Sequence, residues 1–264
     1  MSNAPKEVVP VRSFKVDRLG VNVYANRQDL GMGAGLAAGK AIRDALGRKD
    51  EVRVIFAAAP SQNECLETLV SCPGIEWNRV VALHMDEYIG LAPNAPERFS
   101  KYLKDHIFDL VPFKRICFLD PPDQQFSTSE IVARYKRILA EEPIDVVCMG
   151  IGENGHIAFN DPPAAFNDPE PLKIVDLDEI CRQQQVNDGC FPSFDAVPKQ
   201  AVSLTIPTLL SADVLVCSVP SHFKRNAVHA TLAGPVTENC PATALRNHHN
   251  ATLFVELESC DVEA

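Results

Sequence analysis

Several polar side chains follow a strand-like apolar run near the middle of the chain. The run is Ile144 to Met149, in the stretch IDVVCMGIGENGHIAFNDP, and an apolar run bounded by turn residues is typical of a strand buried on both faces of a parallel sheet. Glycines after it allow a sharp turn close to a ligand. The polar residues are Glu153, Asn154, His156, Asn160 and Asp161. Loops at the carboxyl ends of such strands usually bind ligands, so the sequence predicts a site here.

His156 and Asp161 are the residues of this loop best suited to proton transfer. A histidine titrates near neutral pH and can take up and return a proton during a reaction. Asp161 follows five residues later and can hold the imidazole in one tautomer, as carboxylates do in other catalytic pairs. The pair therefore predicts acid–base chemistry.

A second candidate base is Asp86, in the stretch VVALHMDEYIGL from Val80 to Leu91. A partly desolvated carboxyl group at the end of a strand has a raised pKa, which helps a base that works near neutral pH. Glu87 points to the opposite face if the backbone is extended, because successive side chains of a strand alternate. We therefore interpret Glu87 and Tyr88 as supporting residues.

The two stretches resemble the two catalytic motifs of the glucosamine-6-phosphate deaminase family, in the same order and about sixty residues apart. The resemblance covers about residues 52 to 257. It implies a Rossmann-like α/β fold and conversion of an amino-sugar 6-phosphate to a ketose 6-phosphate and ammonia. It also implies that Asp86 moves the C2 proton, while His156, helped by Asn154 and Asp161, opens the sugar ring.

The resemblance implies a phosphate site as well. Lys224, in SVPSHFKRNAV, matches the lysine with which the family contacts the sugar phosphate. Ser61 and Gln62 follow a predicted strand and open a helix, a place where free backbone N–H groups can bind an anion. The family turn is rich in Gly, Ser and Thr, whereas this turn contains no glycine and could instead be an ordinary capped strand–helix turn. Arg182 is a weaker candidate for a further phosphate contact.

The composition of the chain argues against several other classes of protein. The 264 residues are 46% hydrophobic and 23% charged, with a net charge of −10 and no basic patch that would indicate nucleic-acid binding. The nine cysteines have no CxxC spacing, so we interpret them as reduced thiols of a cytoplasmic protein. We expect no membrane span, no cofactor and no metal-ligand cluster. The expected partner is a small sugar phosphate, and a homo-oligomer is left open.

Alternating strand-like and helix-like segments predict a mostly parallel sheet with helices on both faces. No linker or internal repeat divides the chain, so we expect a single α/β domain over residues 1–264, in which residues 1–12 form a loose arm. Residues 163–198 are rich in proline, and a long irregular segment after an active-site loop is often a lid. A surface excursion without function is an equal alternative for this segment.

A glycine run in the first predicted helix could suggest a dinucleotide site. Gly31, Gly33 and Gly35 lack the GxGxxG spacing and would lie inside the helix rather than in a strand-to-helix turn. We therefore expect them to allow close helix packing.

Two other functions remain open from the sequence. One is a 6-phosphogluconolactonase, a related fold with a similar glycine–histidine loop, which would not need Asp86 as a C2 base. The other is a non-catalytic sugar-phosphate sensor. The glycine-free turn and the short Asp161 side chain would agree with such a sensor.

Overall fold

The computed structural model describes residues 8–124 and 126–262. The strands in this part of the chain are β1 (Arg12–Val16), β2 (Leu19–Tyr24), β3 (Val52–Phe56), β4 (Val80–His84), β5 (Asp86–Tyr88), β6 (Arg115–Cys117), β7 (Val146–Met149), β8 (Leu172–Asp176), β9 (Gln200–Leu204), β10 (Val214–Val219) and β11 (Ala251–Glu256). The helices are α1 (Arg27–Leu46), α2 (Asn63–Val70), α3 (Phe99–Leu103), α4 (Thr128–Leu139), α5 (Glu179–Asn187), α6 (Ile206–Leu210) and α7 (Arg225–Ala233). Of the predicted arm, residues 1–7 lie outside the described residues, and β1 already begins at Arg12.

Eight strands form one sheet in the order β1-β2-β11-β10-β7-β3-β4-β6. All neighbouring pairs are parallel except β1 with β2. Every residue of the inner strands β3, β4 and β7 is buried, which is what continuous apolar runs in a two-sided parallel sheet require. The predicted α/β class with a mostly parallel sheet is confirmed.

Helices cover both faces of this sheet because alternate strand residues point to opposite sides. On one side Val54, Phe56 and Val146 share a core with apolar residues of α1 and α2. On the other side Ile55 and Val147 share a core with residues of α4, α6 and α7. The two apolar cores hold the sheet between the layers.

The glycines of α1 allow the helix to approach its neighbours closely. A Cβ atom on Gly31 would lie 2.2 Å from Cβ of Glu64, and one on Gly35 would lie 2.6 Å from the carbonyl oxygen of Cys65, both in α2. A Cβ atom on Gly33 would lie 2.3 Å from the hydroxyl oxygen of Tyr24. The expected packing role of this run is confirmed.

Residues 163–198 are more regular than the sequence predicted. They contain β8 and α5, and β8 joins β9 and β5 in a three-stranded antiparallel sheet. In this small sheet Asp86 of β5 is paired with Ser203 of β9. The Ser203 hydroxyl oxygen accepts a hydrogen bond from the backbone N–H of Phe159, so the small sheet joins the two predicted catalytic stretches.

Candidate active site

A cleft opens where β3, β4 and β7 end. These strands are neighbours in the sheet, so the loops after their carboxyl ends converge at one edge, as in other open α/β folds. The lining residues are Ala57, Ala58, Ala59, Ser61, Gln62, Met85, Asp86, Phe99, Gly150, Ile151, Gly152, His156, Ala158, Phe159, Gln184 and Gln185. The fold thus brings the predicted residues Ser61, Gln62, Asp86 and His156 to one cleft.

The loop after β7 is folded back on itself around His156. The N–H of Gly152 donates to the carbonyl oxygen of His156 at 2.9 Å, and the N–H of Gly155 donates to that of Gly152 at 3.0 Å. Gly155 has a φ of +85°, a conformation that glycine adopts without a steric penalty. A Cβ atom on Gly152 would lie 2.2 Å from the His156 ring. Glycine at 152 therefore leaves the space in which the imidazole lies.

Asn154, His156 and Asp161 contact one another. Nδ1 of His156 lies 3.1 Å from Oδ1 of Asp161. The Asn154 side chain donates to the same Oδ1 at 3.0 Å and accepts from the backbone N–H of His156 at 3.0 Å. The pair of His156 and Asp161 predicted from the sequence, and the place of Asn154 beside them that the resemblance implied, are both present in the structure.

Asp178 completes this group and was not predicted. Its Oδ2 accepts a second hydrogen bond from the Asn154 amide at 3.0 Å, and its own backbone N–H donates to Oδ2 of Asp161 at 3.1 Å. Its Oδ1 caps α5 by accepting from the N–H of Cys181. The sequence could have suggested Asp178 as a helix cap, but its distance from Asn154 depends on the tertiary fold.

The Asp161 carboxyl group is partly withdrawn from solvent. Burial alone would raise its pKa, but the contact with His156 and the hydrogen bonds from Asn154 and the Asp178 backbone outweigh burial. The pKa of Asp161 is therefore lowered, and the carboxylate stays charged beside the imidazole.

Asp86 faces the cleft from the start of β5 and is 6% exposed. Burial, and then the charge of the adjacent Glu87, raise the pKa of this carboxyl group well above its ordinary value. His84, at the end of β4, fixes the backbone here: its Nδ1 contacts the carbonyl oxygen of Asp86 at 3.0 Å, and its Nε2 accepts from the N–H of Leu119 at 2.8 Å. The pKa of Asp86 is thus shifted in the direction that favours a base near neutral pH.

Glu87 points away from the cleft, as the alternation of side chains predicted. Its carboxylate accepts the N–H groups of Phe99 and Ser100 at the start of α3 and lies 3.7 Å from the guanidinium of Arg98. The Tyr88 hydroxyl donates to Oε1 of Gln185 at 2.6 Å. The predicted supporting character of Glu87 and Tyr88 is confirmed.

The turn after β3 carries Ser61 and Gln62. Nε2 of Gln62 donates to the carbonyl oxygen of Ser218 at 3.1 Å and to the Ser61 hydroxyl oxygen at 3.3 Å. Its Oε1 is buried and has no hydrogen-bond partner among the described residues. The turn is therefore anchored to the end of β10 although it contains no glycine.

Lys224 precedes α7 and is 4% exposed. Its ammonium group is buried and makes no hydrogen bond within the described part of the chain. Burial lowers the pKa of Lys224, and the carboxylates of Asp188 and Glu153 partly oppose this. Lys224 is not one of the residues that line the cleft.

Arg182, the weaker predicted phosphate contact, is engaged elsewhere. It lies in α5, where its guanidinium donates to the carbonyl oxygens of Phe194 and Val197 and stacks 4.0 Å above the Phe194 ring. Arg182 does not line the cleft, so the structure does not bring it to the other predicted residues.

Two glutamines of α5, which the sequence analysis did not identify as site residues, also line the cleft. Gln184 accepts the N–H of Glu153 at 2.8 Å, and Gln185 accepts the Tyr88 hydroxyl. The segment RQQQVNDG was noted only for its polarity. A helix that places two of its side chains over the cleft fits the lid-like position predicted for residues 163–198.

One group of side chains could hold a metal ion. His156, Asp161 and Cys181 each offer one ligand atom, and these atoms lie within 4.8 Å of one another. The sequence did not predict this group, because Cys181 is brought to the loop by α5 and not by its position in the sequence.

Comparison with known proteins identifies the family. A family model described as glucosamine-6-phosphate isomerases/6-phosphogluconolactonase matches residues 25–254. The chain belongs to this family. A glucosamine-6-phosphate deaminase of Streptococcus pneumoniae serotype 4 is 33% identical over 185 residues, which cover 70% of this chain and 77% of the relative.

Solved structures of related proteins share the fold of this chain. A structure described as a monomeric glucosamine-6-phosphate deaminase aligns with a TM-score of 0.81 and 25% identity, covering 90% of this chain and 98% of the other. A 6-phosphogluconolactonase of Thermotoga maritima aligns with a TM-score of 0.71 and 17% identity, covering 89% and 98%. The second likeness shows the shared fold alone. No helix among the described residues combines the length and apolar character needed to span a bilayer.

Proposed function

We propose that this protein converts glucosamine 6-phosphate and water to fructose 6-phosphate and ammonia. The observation that carries the proposal is that Asp86, a buried carboxyl group with a raised pKa, and His156, next to Asp161, line the same cleft. Pairs of titratable groups in different environments are the usual arrangement for acid–base steps at neutral pH. The family and its deaminase relatives support this reaction.

Ring opening is assigned to His156. Nδ1 faces Asp161, which leaves Nε2 to take the proton of the anomeric hydroxyl group and return it to the ring oxygen. The Asp161 charge favours the imidazolium that forms in between. Asn154 holds both partners through its amide group.

The second step is assigned to Asp86. In the open aldehyde this carboxylate removes the proton from C2 and then delivers it to C1, while the C2 amine gives up one proton and the aldehyde oxygen takes one up. The product is an imine at C2, which water hydrolyses to the ketone with release of ammonia. A base with a raised pKa can both accept and return the proton near neutral pH.

The phosphate group is assigned to Lys224 and the turn at Ser61. A phosphate dianion would give the buried Lys224 ammonium the partner that the described residues do not supply. The Ser61 hydroxyl oxygen already accepts from Gln62, so its own hydrogen is free to donate to a phosphate oxygen. Gln62 contributes by anchoring the turn to Ser218. Arg182 is left out because its guanidinium is bound to Phe194 and Val197.

The test is ammonia release from glucosamine 6-phosphate by the wild type and by Asp86→Asn. We expect the wild type to release ammonia and the variant to lose roughly 10²–10⁴-fold in kcat, the usual contribution of acid–base catalysis. Asp123→Asn, at an exposed position outside the cleft, is the matched control and should keep full activity. No release from glucosamine 6-phosphate or galactosamine 6-phosphate would refute the proposal.

The same preparations separate the alternatives. Hydrolysis of 6-phosphogluconolactone that survives in Asp86→Asn would indicate the lactonase, since that reaction has no C2 proton to move. Binding of fructose 6-phosphate without turnover of any of these compounds would indicate the sensor. We also propose a cytoplasmic location, because all nine cysteines are free and such thiols persist in reducing compartments.

A further inference from the structure

Three side chains with different donor atoms meet beside the cleft. His156 and Asp161 come from the loop after β7, and Cys181 comes from the first turn of α5. One ring nitrogen, one carboxylate oxygen and the thiol sulfur lie within 4.8 Å of one another. Imidazole nitrogen, carboxylate oxygen and thiolate sulfur are the ligand atoms that bind Zn²⁺ in proteins.

A second observation concerns His156 itself. Its side chain is 9% exposed, and Nδ1 is a buried atom without an aligned hydrogen bond among the described residues, although Asp161 Oδ1 lies 3.1 Å away. The approach is off the axis of the ring N–H. Buried polar atoms are nearly always paired, so a cation bound at Nδ1 would supply the aligned partner that Asp161 does not.

We propose that His156, Asp161 and Cys181 form a binding site for a thiophilic divalent cation such as Zn²⁺, and that the bound cation inhibits the enzyme. Three protein ligands leave the fourth tetrahedral position to water, an arrangement common in zinc sites that are open on one side. One thiolate and one carboxylate balance the charge of the ion. Asn154 and the Asp178 backbone N–H hold the Asp161 carboxylate from outside, as outer partners of metal ligands do.

The binding step releases one proton. The Cys181 thiol gives its proton to solvent, the sulfur forms a bond to the cation, and no electron transfer is involved. His156 donates the Nδ1 lone pair, so the ring carries its hydrogen on Nε2 and cannot accept the anomeric proton there. The inhibition rests on the proposed function, whereas binding of the cation does not.

The experiment uses Co²⁺ as a spectroscopic probe and Zn²⁺ as the inhibitor, with the full chain. A thiolate bound to Co²⁺ gives a near-ultraviolet charge-transfer band, which reports the Cys181 contact whether or not the enzyme is active. We expect the band in the wild type, and we expect Zn²⁺ to abolish ammonia release reversibly, with recovery after a chelator. Cys181→Ser should lose the band and weaken Zn²⁺ inhibition at least about tenfold.

Cys190→Ser is the matched control, since Cys190 is a partly buried thiol on the same segment outside the cluster; it should keep both the band and the inhibition. His156→Gln, which is expected to be inactive, should also lose the band and so tests the site without turnover. If Cys181→Ser does not fold, His156→Gln and Cys190→Ser still decide the outcome. The proposal is overturned if the wild type shows no band, or if the band persists in Cys181→Ser or His156→Gln.

Discussion

The Asp86 carboxyl group occupies a position that costs the folded protein stability. Burial and the Glu87 charge raise its pKa, whereas in the unfolded chain it titrates near its ordinary value. An acid with a raised pKa in the folded state stabilises at low pH, and this contribution is lost as the pH rises. The charged form of Asp86 therefore lowers the free energy of unfolding, and the proposed base chemistry requires this form.

We predict that Asp86→Asn, although its kcat falls, is more stable than the wild type at pH 7.5. Asn has nearly the same shape and carries no charge, so the desolvation cost is removed. A gain on the order of 1 kcal/mol raises Tm by about 2–4 °C in a protein of this size. Calorimetry at pH 7.5 and again near pH 4 checks this, because the advantage of the variant should shrink in acid. A variant that is less stable at both pH values would contradict the argument.

Gly152 is the residue on which the position of the His156 ring depends most directly. Because a Cβ atom there would lie 2.2 Å from the ring, we predict that Gly152→Ala displaces the imidazole and lowers kcat on the order of 100-fold. The overpacking should cost about 1–3 kcal/mol of stability. Kinetics and thermal unfolding measure both effects.

Gly20→Ala is the control for this substitution, since its Cβ atom would meet its nearest neighbour, Oγ1 of Thr252, at an ordinary 3.5 Å. It should keep full activity. Equal activity of the two variants would show that the ring has room to move without loss.

Among single residues, the sequence identified those that lie in one local motif. Asn154, His156 and Asp161 are within eight positions, so the loop that carries them also brings them together. Asp178 and Cys181 were missed because they approach the loop only through the placement of α5. Arg182 was proposed for its charge, but its hydrogen bonds to Phe194 and Val197 depend on contacts that no sequence pattern shows.

At the scale of elements, the first turn of α5 is joined directly to the loop after β7. Asp178 caps the helix through Cys181, accepts from Asn154, and donates its backbone N–H to Asp161. A change at this one residue therefore reaches both the helix over the cleft and the groups that hold His156. We interpret Asp178 as a positioning residue.

We predict that Asp178→Asn keeps most of the stability but lowers kcat at least about tenfold, with a smaller change in KM. Asn caps helices as well as Asp does. If the side-chain oxygen of Asn at 178 caps the helix, however, its NH₂ group faces Asn154 and cannot accept the hydrogen bond that Oδ2 of Asp178 accepts. The pH profile of kcat should also shift, since a negative charge next to Asn154 and Asp161 is lost. Steady-state kinetics over a pH series measures both.

Ser127→Ala is the comparison, because Ser127 caps α4 through a capping box away from the cleft. It should cost about 1 kcal/mol of stability and leave kcat and the pH profile unchanged. If Asp178→Asn behaves in the same way, Asp178 is only a helix cap.

Elements were predicted best where local signals agree. The six consecutive apolar or small residues VLVCSV by themselves predict a strand, and β10 spans them from Val214 to Val219. The segment PERFSKYLKDHIF, residues 96–108, favours a single helix after its proline, but the observed helix begins at Phe99 and changes at Lys104 to a π-helical turn. Strand β8 was missed because LKIVD is short, buries only Leu172 and lies in a proline-rich segment.

For the whole molecule, the sensitivity of stability to acid depends on a buried histidine. His84 lies in the centre of the fold, with both ring nitrogens in contact with backbone groups, and burial lowers its pKa to about 3. In the unfolded chain the same group titrates near 6.5. The unfolded state therefore binds one more proton between these two pH values, and the contribution of His84 to stability is lost as the pH falls through that window.

We predict that the stability gap between the wild type and His84→Gln narrows as the pH falls from 6.5 toward 3. The variant loses packing and hydrogen bonds at pH 7.5, but it has no imidazole to protonate. The difference in the free energy of unfolding between the two proteins should shrink by up to about 1.4 kcal/mol per pH unit. Urea unfolding at several pH values measures this difference. His249→Gln, at an exposed position, should show a nearly constant gap. A gap that widens in acid for His84→Gln would contradict the assignment of a neutral buried ring.

The eight-stranded sheet ends on two strands that are poor templates for another chain. Strand β1 exposes Ser13 and Lys15 at one edge, and β6 at the other has only three residues and begins with Arg115, which is exposed and paired with Glu141. Short and charged edge strands disfavour pairing between molecules. Both edges of the eight-stranded sheet therefore disfavour its continuation by a strand of a second molecule.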